Sequence, residues 1–117
     1  MKKQLMLFVC CVVLGCIADS SAQEYKKIDA KYTIASKTII DPPPEEKRDQ
    51  VLLFLQGSGA KEIFDSMPVP AKKSKCSADV TVKTARDLEC FKNISGAYHC
   101  TVGILLNTGN TARGSVC

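Results

Sequence analysis

Residues 98–106 read Tyr-His-Cys-Thr-Val-Gly-Ile-Leu-Leu. Tyr98, Cys100, Val102, Ile104 and Leu106 share one parity, and His99 and Thr101 fall on the other. That period of two marks a half-buried strand. Turn chemistry bounds it on both sides: Asn93-Ile94-Ser95-Gly96 before, Asn107-Thr108-Gly109-Asn110 after. Two such turns predict antiparallel neighbours on either hand. Upstream, Leu88 and Cys90 share a face, and Val80 and Val82 alternate with polar residues. Residues 80–117 therefore read as a meander of three or four strands.

Earlier in the chain, Tyr25 to Ile40 alternates as well. Ile28, Ala30, Tyr32 and Ile34 lie on one side, with Lys27, Asp29, Lys31 and Thr33 on the other. This reads as a half-buried strand, ended at Asp41-Pro42-Pro43-Pro44 because proline cannot donate to a ladder. A helix is expected next. Pro44 suits the first helical position, and Glu45 and Glu46 favour the positive end of the dipole. Val51, Leu52, Phe54 and Leu55 then form one helical face, and Gly57 reads as the C-terminal cap. Ser58 reads as the N-cap of a second helix, with Ala60, Ile63, Phe64 and Met67 on one face and Pro68-Val69-Pro70 as its stop. The expected fold class is α+β: an antiparallel sheet of about four or five strands, one or two helices packed on one face, and two disulfides.

The first 22 residues read as an export signal. Met1-Lys2-Lys3-Gln4 is a short positive region, and Leu5 to Leu14 is apolar throughout, too short to span a bilayer comfortably. Two cleavage sites stand open. Val13-Leu14-Gly15-Cys16 resembles the lipobox of bacterial lipoproteins, which would cleave after residue 15 and lipidate Cys16. Ser20-Ser21-Ala22 suits ordinary signal peptidase. With Ile17 in place of Asp after Cys16, the lipoprotein resemblance implies an outer-membrane anchor. Residues 23–117 then form one small domain of 95 residues (117 less 22). Removing Lys2, Lys3 and Asp19 leaves 14 basic and 11 acidic residues, a net charge of +3, too modest for a nucleic-acid footprint.

Of seven cysteines, Cys10, Cys11 and Cys16 leave the thiol pool by either route. Cys76, Cys90, Cys100 and Cys117 remain, an even number that reads as two disulfides in an exported domain. The favoured pairing is Cys76–Cys90 with Cys100–Cys117. It follows if Leu106 faces Thr111, which sets Cys100 opposite Cys117. Cys90 faces Cys100 only if the hairpin loop between them has an odd length. No Cys-x-x-Cys is present, so zinc and thioredoxin-like chemistry have no support, and no cofactor is expected.

Catalytic constellations are thin. Ser58-Gly59-Ala60-Lys61 matches the Ser-x-x-Lys of penicillin-binding enzymes, and Lys83-Thr84-Ala85 faintly echoes their Lys-Thr-Gly. The Ser-Asp-Asn element is missing and the chain is too short for that fold. Asp87 and Glu89 share a strand face, which more often is a solvated outer surface than a glycosidase pair. Gly57 to Lys61 lacks the spacing of a phosphate loop. His99 has no evident partner for a proton relay. Asn93-Ile94-Ser95 is a glycosylation sequon that reads here as turn chemistry.

The expected function is that of a small exported bacterial envelope protein, periplasmic or outer-membrane-anchored, which binds another protein without catalysis. Its format is similar to that of bacterial lysozyme inhibitors and immunity proteins. The candidate contact residues are Lys72, Lys73 and Lys75 in a basic loop, and Asn93 and Tyr98 at a hairpin tip, because loops on a stapled scaffold usually carry function. A structural envelope lipoprotein with no discrete ligand is the alternative, and a hydrolase using Ser58 and Lys61 the third reading.

Overall fold

The computed structural model describes residues 23–116; the expected export signal, with Cys10, Cys11 and Cys16, and the last cysteine, Cys117, lie outside them. Among the described residues there are seven strands and one helix: β1 Asp29–Ser36, β2 Arg48–Gln56, α1 Gly57–Ser66, β3 Lys72–Lys73, β4 Thr81–Ala85, β5 Leu88–Lys92, β6 Tyr98–Leu105 and β7 Thr111–Ala112. The strands form one antiparallel sheet in the order β1-β2-β6-β5-β4-β3. β7 also pairs with β6, through Gly103–Ala112 and Ile104–Thr111. β6 thus gives one edge to β2 and divides the other between β5, which pairs as far as Thr101, and β7, which begins at Gly103. The α+β class holds, with more strands than expected and one helix of the expected one or two.

The expected first helix is β2. Val51 to Leu55 is a continuous apolar run, and such a run suits a strand with neighbours on both sides as well as a helical face. Here it pairs with β1 on one edge and β6 on the other. Gly57 does not end a helix; at φ 76° it turns the chain from β2 into α1. The N-cap is Gln56, without a side-chain bond, rather than Ser58. The helix then runs as its apolar spacing predicts. At its far end Lys83 Nζ, reaching from β4, donates to the carbonyls of Phe64 (2.9 Å) and Met67 (3.2 Å). A cation there satisfies orphan carbonyls and complements the helix dipole.

Register sorts the side chains into two faces. Lys83, Cys90, Cys100, Leu55 and Ala30 form one row across the helix-bearing face. α1 sets Ala60, Phe64 and Met67 on the Cys90 and Cys100 part of that row, and this is the buried core. Phe64 meets Tyr98 edge to face at 5.3 Å. The next row, Leu88, Val102, Leu53 and Tyr32, extends away from the helix, and Tyr32 is 74% exposed. β1 is therefore an exposed strand and not the half-buried one expected: every residue from Asp29 to Ile34 is exposed.

The disulfide pairing also differs from expectation. Cys90 is bonded to Cys100, both fully buried, so neither Cys76–Cys90 nor Cys100–Cys117 forms. Cys90–Cys100 is the disulfide that joins two described cysteines. Loop length decides this. Lys92 pairs with Tyr98, leaving the five-residue loop Asn93–Ala97, and an odd loop sets Cys90 directly opposite Cys100. Gly96 takes the left-handed conformation (φ 86°) that this loop needs. The following hairpin also moves: Thr111 faces Ile104 and not Leu106.

The face away from the helix carries two features. Phe54, His99 and Phe91 stack in series, with ring centroids 5.1 Å and 4.6 Å apart. Beyond β7, the chain crosses this face at close range. A Cβ on Gly114 would sit 2.7 Å from the Val102 backbone nitrogen, and one on Gly103 would sit 3.0 Å from the Ala112 carbonyl oxygen. Only glycines allow the two backbones to approach in this way.

Candidate functional site

The expected basic loop is partly strand. Lys72 and Lys73 form β3, paired with Val82 and Thr81 of β4 at the edge of the sheet. This places Lys72, Lys73 and Lys75 along one side of an open groove of about 680 Å³. Arg86 and Arg113 also line it, together with Val69, Pro70, Val82 and Val116. The elements that bring the two arginines in are specific. Arg86 sits in the tight turn between β4 and β5, with φ 54°. Arg113 arrives on the segment that crosses the sheet after β7.

Glu89 anchors that segment. Its side chain is buried, and Oε1 accepts from Arg113 Nε and Nη2 (3.4 Å each) and from Ser115 Oγ (3.0 Å). Nearby, Thr111 Oγ1 donates to Asp87 Oδ2 at 2.8 Å. Asp87 and Glu89 are thus structural: one stands beside a turn, the other under the crossing segment, and each holds a residue at or after β7. Glu89 is therefore buried and not on the solvated outer face expected for the pair.

Charge in the groove is one-sided. Five cationic residues line it with one carboxylate, Glu89, which is already engaged by Arg113 and Ser115. Among the described residues, Lys72, Lys73, Lys75 and Arg86 take part in no ion pair. Cations that converge on a concave surface without internal partners favour an anionic ligand, and the low-dielectric walls concentrate their field. The apolar lining residues add contact area for a chain that is acidic and apolar together.

Asn93 and Tyr98 do not belong to this groove. Tyr98 lies on the helix-bearing face, against Phe64, with the ammonium groups of Lys61 and Lys92 at 5.6 Å and 5.7 Å from its ring centre. Asn93 closes the β5–β6 loop through its backbone, donating to Ala97 and accepting from Gly96. The hairpin-tip candidates therefore lie apart from the lysines.

No protein-family model, curated protein or solved structure matches this chain.

The remaining catalytic candidates have other partners. Lys61 Nζ donates to Asp65 Oδ2 at 2.7 Å. That bond, with the Asp65 charge, holds the Lys61 ammonium above its ordinary pKa, opposite to what a base beside Ser58 requires. Asp65 is lowered by the same hydrogen bond. Lys83 caps the far end of α1 while Ser58 lies in its first turn, so the echo of a Lys-Thr-Gly element has no geometry behind it. His99 lies in its aromatic stack, and burial lowers its pKa. No group of three or more His, Cys, Asp or Glu side chains among the described residues has the geometry of a metal site. No described helix is long and apolar enough to cross a membrane.

Arg86 and Arg113 escaped sequence reading. Arg86 had a signal: an apolar alternation up to Val82 and another from Leu88 require a turn between them. Arg113 had none, because the crossing of the chain over Gly103 leaves no periodicity.

Proposed function

We propose that this protein is a non-enzymatic binding protein that works outside the cytoplasm and takes an acidic segment of another protein into the groove of Lys72, Lys73, Lys75, Arg86 and Arg113. The observation that carries this reading is a groove lined by five cationic residues, four of them outside any described ion pair, and by a single carboxylate that Arg113 already engages. The valines of the lining favour a polypeptide over a bare polyanion, because acidic chains that also present apolar side chains satisfy both. Nucleic acid is disfavoured by the mild overall charge, and no aromatic side chain lines the groove for bases to stack upon. The apolar N-terminal stretch and the disulfide support an oxidising compartment outside the cytoplasm.

The test compares affinity capture by the native protein and by a Lys72→Glu/Lys73→Glu variant, from the same envelope extract. One acidic partner at near-stoichiometric amounts, held by the first and lost from the second, supports the reading. A purified complex should then weaken steeply with salt, since exposed charges are screened within about 8 Å at physiological ionic strength. Equal capture by both proteins would sink it.

A further inference from the structure

Among the described residues, β1 is hydrogen-bonded on one edge only, to β2. Its other edge meets no described strand, and the residues from Asp29 to Ile34 are exposed, with Tyr32 at 74% and Ile28, just before the strand, at 40%. Natural sheets shorten, charge or cover such an edge to prevent uncontrolled pairing. β3, at the opposite end of the sheet, is two residues long and both are lysine. β1 is eight residues long, and its two charges, Asp29 and Lys31, are of opposite sign.

The segment Ile28-Asp29-Ala30-Lys31-Tyr32 is complementary to itself when laid antiparallel. With Ala30 on a two-fold axis, each Asp29 faces Lys31 of the second copy, and each Ile28 faces Tyr32. The register is unusually well marked. Moving the axis one residue forward sets Lys31 against Lys31, and moving it one residue back sets Asp29 against Asp29. Directly opposed like charges destabilise a strand pair, and opposed unlike charges stabilise it. The axis at Ala30 also keeps parity, so the helix-bearing faces of both copies lie on the same side. There the apolar stripe of Tyr32, Leu53 and Val102 would continue across the junction. Upstream the pairing stops naturally: Ile28 packs on Gly59 and Lys26 bonds to Glu62 of α1, so the chain leaves the strand towards the helix.

We propose that two copies of this chain associate through β1 in antiparallel register about Ala30, joining their sheets into one. The occupant is a second copy because the charge pattern matches its own inverse. This surface is at the opposite edge of the sheet from the basic groove and stands apart from it.

Cysteine cross-linking tests the register. In an Ala30→Cys variant of the full chain the two new thiols meet across the axis, at a strand-pair spacing that suits a disulfide. Mild oxidation should yield a covalent dimer. Thr33→Cys, which faces Lys27 of the second copy, should yield little. Sedimentation equilibrium supplies the second readout: Lys31→Asp should weaken association on the order of tenfold or more, since two attractive pairs become repulsive. Asp29→Lys/Lys31→Asp should restore it. Lys31 is exposed and makes no described side-chain bond, so its reversal leaves the fold intact. A monomer at all concentrations, equal cross-linking at both positions, or association indifferent to the charge reversal would each overturn the proposal.

Discussion

Two regions of one sheet, built from strands that alternate equally well, end in opposite environments. β5 and β6 bury Cys90, Phe91, Cys100, Thr101 and Gly103, whereas β1 leaves Ala30, Tyr32 and Ile34 in solvent. Composition does not separate them. Coverage does: α1 lies on one side of Cys90 and Cys100, the segment after β7 crosses the other side, and β1 lies outside both. Alternation therefore states which residues share a face, and leaves open whether anything covers that face.

The sharpest way to break this comparison is to truncate one aromatic in each region. Phe64→Ala empties the contact between α1 and the sheet and should cost about 3–5 kcal/mol. Tyr32→Ala, in protein dilute enough to remain monomeric, should cost less than about 1 kcal/mol. Urea midpoints of the two variants decide it, and equal losses would erase the distinction. Next in size is the disulfide. Cys90→Ala with Cys100→Ala should lower stability by about 2–4 kcal/mol, read as a fall in the thermal midpoint. An unmoved midpoint would mean that helix packing alone holds the covered region.

The smallest effect concerns the place where the two regions meet, since His99 stacks between Phe54 of β2 and Phe91 of β5. Burial lowers its pKa in the folded protein. The unfolded chain therefore binds the proton first as pH falls below the ordinary imidazole value of about 6.5. Stability should decline from near neutrality downward until the folded imidazole is protonated too. His99→Phe should flatten that slope in stability measured between about pH 7 and pH 5. A slope that survives the substitution would point to carboxylates instead.

Much of the meander was legible from the sequence. The face of Tyr98, Cys100, Val102 and Ile104, both flanking turns, and the helical spacing of Ala60, Ile63, Phe64 and Met67 all appear in the structure. Val51 to Leu55 was misread because an unbroken apolar run has no period to distinguish a central strand from a helix face. The disulfide turned on a loop length, which a turn-forming sequence such as Asn93 to Gly96 does not set to one residue. Of the basic groove, the three lysines were visible as a cluster. Its arginine wall was not, because it depends on a backbone crossing at Gly103 and Gly114 that concerns tertiary contact alone.

β2 and β6 lie side by side in the sheet, although α1, β3, β4 and β5 separate them along the chain. The β4–β5–β6 meander, by contrast, closes through short local loops. Topology of this kind sets an order of assembly, because distant pairings bear a larger loop-closure entropy. The meander should form early and offer the free edge of β6 as a template, with the β1–β2 hairpin added last. Until that happens β6 is itself an unprotected edge, so the central strand of the finished sheet is the one most open to wrong partners while the protein folds.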